Sequence, residues 1–225
     1  MRTIINTCII VVIMLLQVSD TSWAGAIGKN TENFAMNGEM SEQDQRIQMC
    51  EVPNTEVDDQ ELVEVAVKVC YPDMKKIPDQ YYINAAKLLK VEKEMCVPDE
   101  MSGMTLAAAC IESGFNSNAE GDHRFSKDGK TPKAIGILQM WPVYEKAYGT
   151  DRRDVESSAR GWLKNIKRQV PSVTRRCMTG TIRETWRLAW VHGVRAPKVG
   201  GRCRENVSHW GVFLKIKNRL NKNNT

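Results

Sequence analysis

Glu112 is the residue of this chain best placed to do chemistry. It follows directly on a small-residue apolar run, Thr105-Leu106-Ala107-Ala108-Ala109-Cys110-Ile111, and is followed at once by Ser113-Gly114-Phe115-Asn116. One loop later comes Gly136-Ile137-Leu138-Gln139. A carboxylate at the end of an apolar helix is expected to lose solvent, and desolvation favours the protonated form of an acid. That is the state in which a general acid can protonate a leaving-group oxygen. An isolated Glu is ordinarily a cap or a surface group, and the neighbouring Gly, Asn and Gln residues set this one apart. Other chemistries fit less well. There is no C-x-x-C pair, and His123, His192 and His209 are widely scattered, so no metal, no cofactor and no Cys nucleophile are expected.

The elements that must position Glu112 read mostly as helices. Leu62-Val63-x-Val65-Ala66-Val67-x-Val69 fits a strand or a short helix, ended in either case by Tyr71-Pro72. Asp79 is expected to N-cap a helix carrying Tyr82, Ala85, Ala86 and Leu89 on one face, and Met101 to Glu112 forms a second helix. Residues 113–133 read as a long loop, which inside a compact domain is more often functional than decorative. Further helices are expected over Pro142–Tyr148, after an Asp154 cap, from Thr181 or Thr185 to Val191, and from Ser208 onward. With no strand pattern of sheet-forming length and no internal repeat, the fold class is α+β, mainly α-helical.

The first residues, Met1-Arg2 and an apolar stretch from Ile4 to Leu16, followed by Ser22-Trp23-Ala24 or Ala24-Gly25-Ala26, read as a signal peptide over 1–26. The stretch is short for a membrane span, so a secreted or periplasmic protein with no membrane span is expected. Beyond the leader remain Cys50, Cys70, Cys96, Cys110, Cys177 and Cys203, for which three disulfides are expected and spacing does not choose the partners. Charge divides the chain. Gly25 to Glu64 carries ten acidic residues against two basic ones, whereas from Val65 onward there are 29 Lys and Arg against 16 Asp and Glu, an excess of 13. An acidic N-terminal segment over 27–72 and a basic domain over 73–225 follow. A basic body is drawn to a polyanion, but no zinc-finger spacing or basic-region heptad points to nucleic acid.

The segment Ala109-Cys110-Ile111-Glu112-Ser113-Gly114-Phe115-Asn116-Ser117-Asn118-Ala119, followed by Ala134-Ile135-Gly136-Ile137-Leu138-Gln139-Met140, resembles the signature of lytic transglycosylases and goose-type lysozymes. Trp162-Leu163-Lys164-Asn165-Ile166 is similar to the helix that follows the glycine motif in that family, and Ala189-Trp190-Val191-His192-Gly193 stands where the family has Ala-Tyr-Asn-x-Gly. The resemblance spans about residues 79–215. It implies a lysozyme-like fold and cleavage of the β-1,4 bond between N-acetylmuramic acid and N-acetylglucosamine in peptidoglycan glycan strands, by a monomer. It implies Glu112 as catalytic acid and then base, with Ser113 beside the substrate acetamido group and Gln139 lining the cleft. Asn116, Tyr144, Trp190 and His192 complete the expected substrate-binding set.

One carboxylate suffices if the sugar's own acetamido and 6-hydroxyl trap the oxocarbenium-like C1, whereas inverting hydrolysis needs a second carboxylate to activate water. Asp122, in a Gly121-Asp122 pair similar to that of goose-type lysozymes, is the candidate for that base. Trp141, where those lysozymes carry a second Asp, and Trp190 and Val191, where the family has Tyr and Asn, depart from the pattern. Two alternatives accompany this reading: a non-catalytic wall-binding or scaffold protein that kept the fold, and a chitin-active glycosidase.

Overall fold

The structure, a computed structural model, describes residues 59–192, 203 and 208–223, and the side chains of residues 191, 192 and 208 lie outside that description. The leader, Cys50 and the acidic stretch up to residue 58 also lie outside the described residues. Those that are described belong to a compact unit, Cys50–Thr225. Its helices, in chain order, are α1 (Asp59–Cys70), α2 (Asp79–Glu94), α3 (Met104–Ser113), α4 (Pro142–Tyr148), α5 (Val155–Cys177), α6 (Ile182–His192) and α7 (Ser208–Asn223). Between α3 and α4 two short strands, β1 (Glu120–Gly121) and β2 (Ala134–Ile135), pair antiparallel with Glu120 opposite Ile135. The mainly helical α+β class read from the sequence is the class observed.

Local chemistry sets most boundaries. The Asp154 carboxylate accepts from Ser157 N at 2.7 Å and starts α5, while Thr181 Oγ1 accepts from Glu184 N at 3.1 Å and starts α6. Pro142 opens α4 where a missing N–H costs nothing, and Gly149 ends it in the left-handed conformation. Two expectations shift. Residues 62–69, left open between strand and helix, are helical. Asp79 lies in the first turn of α2 and the cap position belongs to Pro78, so its side chain meets the helix dipole instead of capping.

The core is one cluster. Leu62, Val63, Val65, Ala66 and Val67 of α1, which falls within the acidic segment drawn at 27–72, are buried in it, so the packed body extends N-terminally of residue 73. Helix α3 is buried from Met104 through Ala109 and packs against α1, α2 and α7. Its run of alanines allows that close approach on several sides. Disulfides join Cys70 to Cys110, at a Cα separation of 5.5 Å, and Cys177 to Cys203, at 5.9 Å. Cys96 is also disulfide-bonded.

Candidate functional site

Everything about α3 works to fix its last turn. At its start the buried Glu92 carboxylate of α2 accepts from Gly103 N at 2.6 Å, Thr105 N at 2.5 Å and Thr105 Oγ1 at 2.7 Å, an N-cap supplied from a neighbouring helix. At its end, Tyr71 donates its hydroxyl to Gly114 O at 2.6 Å, and buried Asn84 donates to Phe115 O at 2.9 Å. Gly114 turns the chain at φ +59, and the Tyr71 hydroxyl occupies the place where a Cβ on it would sit. The Cys70–Cys110 disulfide ties the same turn to α1. Glu112 is thus carried on a helix held at both ends.

Its surroundings differ from those the apolar run suggested. The run is buried only as far as Ala109; over Cys110 to Ser113 the helix reaches the surface, and the Glu112 side chain is 35 % exposed. The carboxylate is met by an imidazole. His209 Nε2, at the start of α7, lies 2.7 Å from Glu112 Oε1. Packing of α7 on α3 joins these residues, 97 apart in the chain. The pairing was beyond sequence reasoning: His209 read only as one of three scattered histidines.

Behind His209 stands Trp190, whose ring lies parallel to the imidazole at a centroid distance of 5.7 Å and 14° between planes. Trp190 is only 6 % exposed and meets Trp162, Trp210 and Phe213 edge-on. Trp190, part of the expected substrate-binding set, thus stands in the core with its ring alongside the His209 imidazole. His192, expected beside it, has its side chain outside the described residues.

Tyr144 of α4 lies within reach of the charge of Glu112. Burial, the largest influence, pushes its phenol well above the usual tyrosine range, with Tyr148 and the charge of Glu112 adding to it and Arg168 opposing. Tyr144 therefore keeps its proton and remains a hydrogen-bond donor. Its hydroxyl is 3.5 Å from Nδ2 of buried Asn165, whose Oδ1 accepts from Tyr148 O–H at 3.1 Å. Tyr148, from one turn further along α4, was not singled out in the sequence; its spacing of four from Tyr144 was the available signal.

Ser113 and Gln139 form the link between α3 and the glycine turn. Ser113 Oγ donates to Ile137 O at 2.8 Å. Gln139, at φ +45, donates from Nε2 to Ala119 O at 3.1 Å and Gly136 O at 2.9 Å. Both amide hydrogens of Gln139 are thus engaged by backbone, and Gly121 leaves room for its Oε1. Gly136 sits at φ +80, where Arg152 O fills the space of a Cβ. Arg152 in turn donates to Lys133 O and Met140 O, both at 3.0 Å, and pairs with Glu145. The glycine motif is a tightly bound turn fastened to the helix of Glu112.

Asp122 lies in the left-handed region at φ +57, and its Oδ2 accepts from Trp141 Nε1 at 2.9 Å. The Trp141 ring rests against the exposed Phe125, at 5.4 Å, over which Arg124 lies. The two carboxylates have separate partners, His209 for Glu112 and Trp141 for Asp122. Exposed Asn116 accepts from Asn118 N at 2.9 Å and shapes its own turn. The loop 113–133 holds β1 and a further turn around Asp128, whose carboxylate is held well below the usual range by Ser126, Thr131 and Lys130. Among the described residues no group of three or more His, Cys, Asp or Glu side chains converges as a metal site. No helix there is long and apolar enough to cross a membrane. No family model, curated protein or solved structure matches this chain.

Proposed function

We propose that this chain is an exported muramidase with a lysozyme-like fold, cleaving the β-1,4 MurNAc–GlcNAc bond of peptidoglycan with Glu112 as acid and then base. The observation that carries this is the partly exposed carboxylate of Glu112 on the clamped last turn of α3, with the glycine turn fastened to it through Ser113. A positioned acid open to a bridging oxygen is what protonation of a glycosidic bond requires.

In this reading protonated Glu112 gives its proton to the bridging oxygen as the C1–O bond breaks and its electron pair goes to that oxygen. Positive charge develops at C1. If the sugar's own 6-hydroxyl adds to C1, the Glu112 carboxylate takes the proton of that hydroxyl; if water adds, a second carboxylate takes the water proton and Glu112 regains its own from solvent. Asp122 is the water-activating candidate, and its hydrogen bond from Trp141 holds it in one orientation. The basic excess from Val65 onward suits docking on an anionic wall.

Clearing of purified sacculi by wild type and by Glu112→Gln tests the reading. Clearing by wild type and a loss on the order of 10³-fold in the variant are expected, since the neutral amide cannot cycle a proton. Equal or absent activity in both proteins sinks the enzymatic assignment. Mass spectrometry of the fragments separates the routes, because a 1,6-anhydro end is one water lighter than a reducing end. With reducing ends, Asp122→Asn should slow turnover by about 100-fold or more, the scale of a lost general base. With anhydro ends, Asp122 is not the base.

A further inference from the structure

Glu112 has one carboxylate oxygen engaged and one open. Oε1 is met by His209 Nε2 at 2.7 Å, and among the described residues no hydrogen bond reaches Oε2. A carboxylate at the end of a Glu side chain turns about a broad, roughly two-fold torsion, so by itself it presents no fixed lone pair. One directional bond to a rigid partner removes that freedom.

The imidazole of His209 is such a partner. Its ring lies flat on Trp190, and that indole is wedged edge-on against Trp162, Trp210 and Phe213. His209 retains 15 % side-chain exposure, but its Nδ1 is buried and, among the described residues, has no hydrogen-bond partner. This selects a tautomer. A hydrogen on Nδ1 would be a buried donor with no acceptor, whereas a hydrogen on Nε2 points at a carboxylate oxygen.

We infer that His209 is a positioning residue for Glu112: its Nε2–H holds Oε1, fixes the carboxylate plane, and leaves Oε2 as the oxygen that carries the proton to the glycosidic bond. The inference rests on the muramidase reading. It assigns to α7 the task of aiming the acid. Misalignment of a reacting group lowers the rate of the chemical step without weakening ground-state binding.

The test compares His209→Gln and His209→Phe on sacculi with wild type, alongside ¹⁵N NMR of the His209 ring in wild type and Glu112→Ala. Phe keeps a ring on Trp190 without a donor, and the Gln amide N–H reaches the place of Nε2. The expected result is a fall in kcat of about 10- to 100-fold for His209→Phe with KM unchanged, the scale of a misplaced catalytic group, and partial retention in His209→Gln. NMR should show hydrogen on Nε2 and a bare Nδ1 in wild type, giving way to a tautomer mixture in Glu112→Ala. Unchanged kcat in both variants, a change confined to KM, or hydrogen on Nδ1 in wild type overturns the inference. If His209→Phe fails to fold, His209→Gln and the tautomer decide. Wild type that does not cleave wall, whatever the tautomer, removes the muramidase reading and this role together. Wild-type cleavage that is indifferent to His209 removes this role alone.

Discussion

At the scale of single residues, the site depends on positions where one atom more or less changes the geometry of the Glu112 turn. Gly114 is the sharpest case. Its φ of +59 and the Tyr71 hydroxyl in the place of a Cβ mean that Gly114→Ala adds backbone strain and displaces a hydrogen-bonded phenol. A stability loss of about 1–3 kcal/mol is expected. Thermal denaturation reads it, and a melting temperature equal to wild type contradicts it. Tyr71→Phe keeps the ring and loses only the bond to Gly114 O, so a smaller loss of about 0.5–1.5 kcal/mol should follow. Glu112 and the glycine motif were legible in the sequence because both are local patterns. The use of Gln139 as a turn clasp was not, since the carbonyls of Ala119 and Gly136 that receive its amide become neighbours only when β1 pairs with β2.

At the scale of elements, α3 is held by groups from other helices, and Glu92 is the most consequential. Burial, the largest influence, pushes its carboxyl above the ordinary value of 4.5, against the hydrogen bonds from Thr105 and Gly103 and the charge of Lys217. The folded protein then binds this proton more tightly than the unfolded chain does. The stability from that proton is therefore full below about 4.5 and is lost as pH rises through the raised folded value. Melting curves of wild type and Glu92→Gln between acid and neutral pH should show wild type losing ground as pH rises; a constant difference contradicts the shift. Glu92→Ala leaves the buried N–H groups of Gly103 and Thr105 unmatched and should cost about 2–4 kcal/mol. Opening Cys70–Cys110 with paired serines frees a loop of 40 residues, which by chain entropy corresponds to about 4 kcal/mol. Chemical denaturation measures both.

At the scale of the whole molecule, charge and connectivity decide how the site meets a partner. The excess of 13 basic residues from Val65 onward makes wall docking electrostatic in the proposed function. Co-sedimentation with sacculi should therefore weaken steeply as salt is raised, because added ions shorten the screening length to about 8 Å at physiological strength and about 3 Å at 1 M. Binding that is indifferent to salt contradicts electrostatic docking. The helix Asp59–Cys70 also shows why charge alone draws a boundary poorly. Its Asp59, Glu61 and Glu64 belong to the acidic stretch by composition, yet its apolar face closes the core beside α3.

Most of the helices, the Asp154 cap, the Gly149 stop and the mainly helical class were legible in the chain alone, because each is set by backbone preference or hydrophobic period over a few neighbouring residues. The surroundings of Glu112 came from long-range packing. The apolar run before Glu112 ends at the surface instead of enclosing it, since α3 is buried only from Met104 through Ala109. His209, 97 residues away, reaches Oε1 because α7 packs on α3 and Trp190 backs the ring. No local pattern records a contact of that kind: it exists only where apolar faces from distant parts of the chain bury one another and carry their polar ends together.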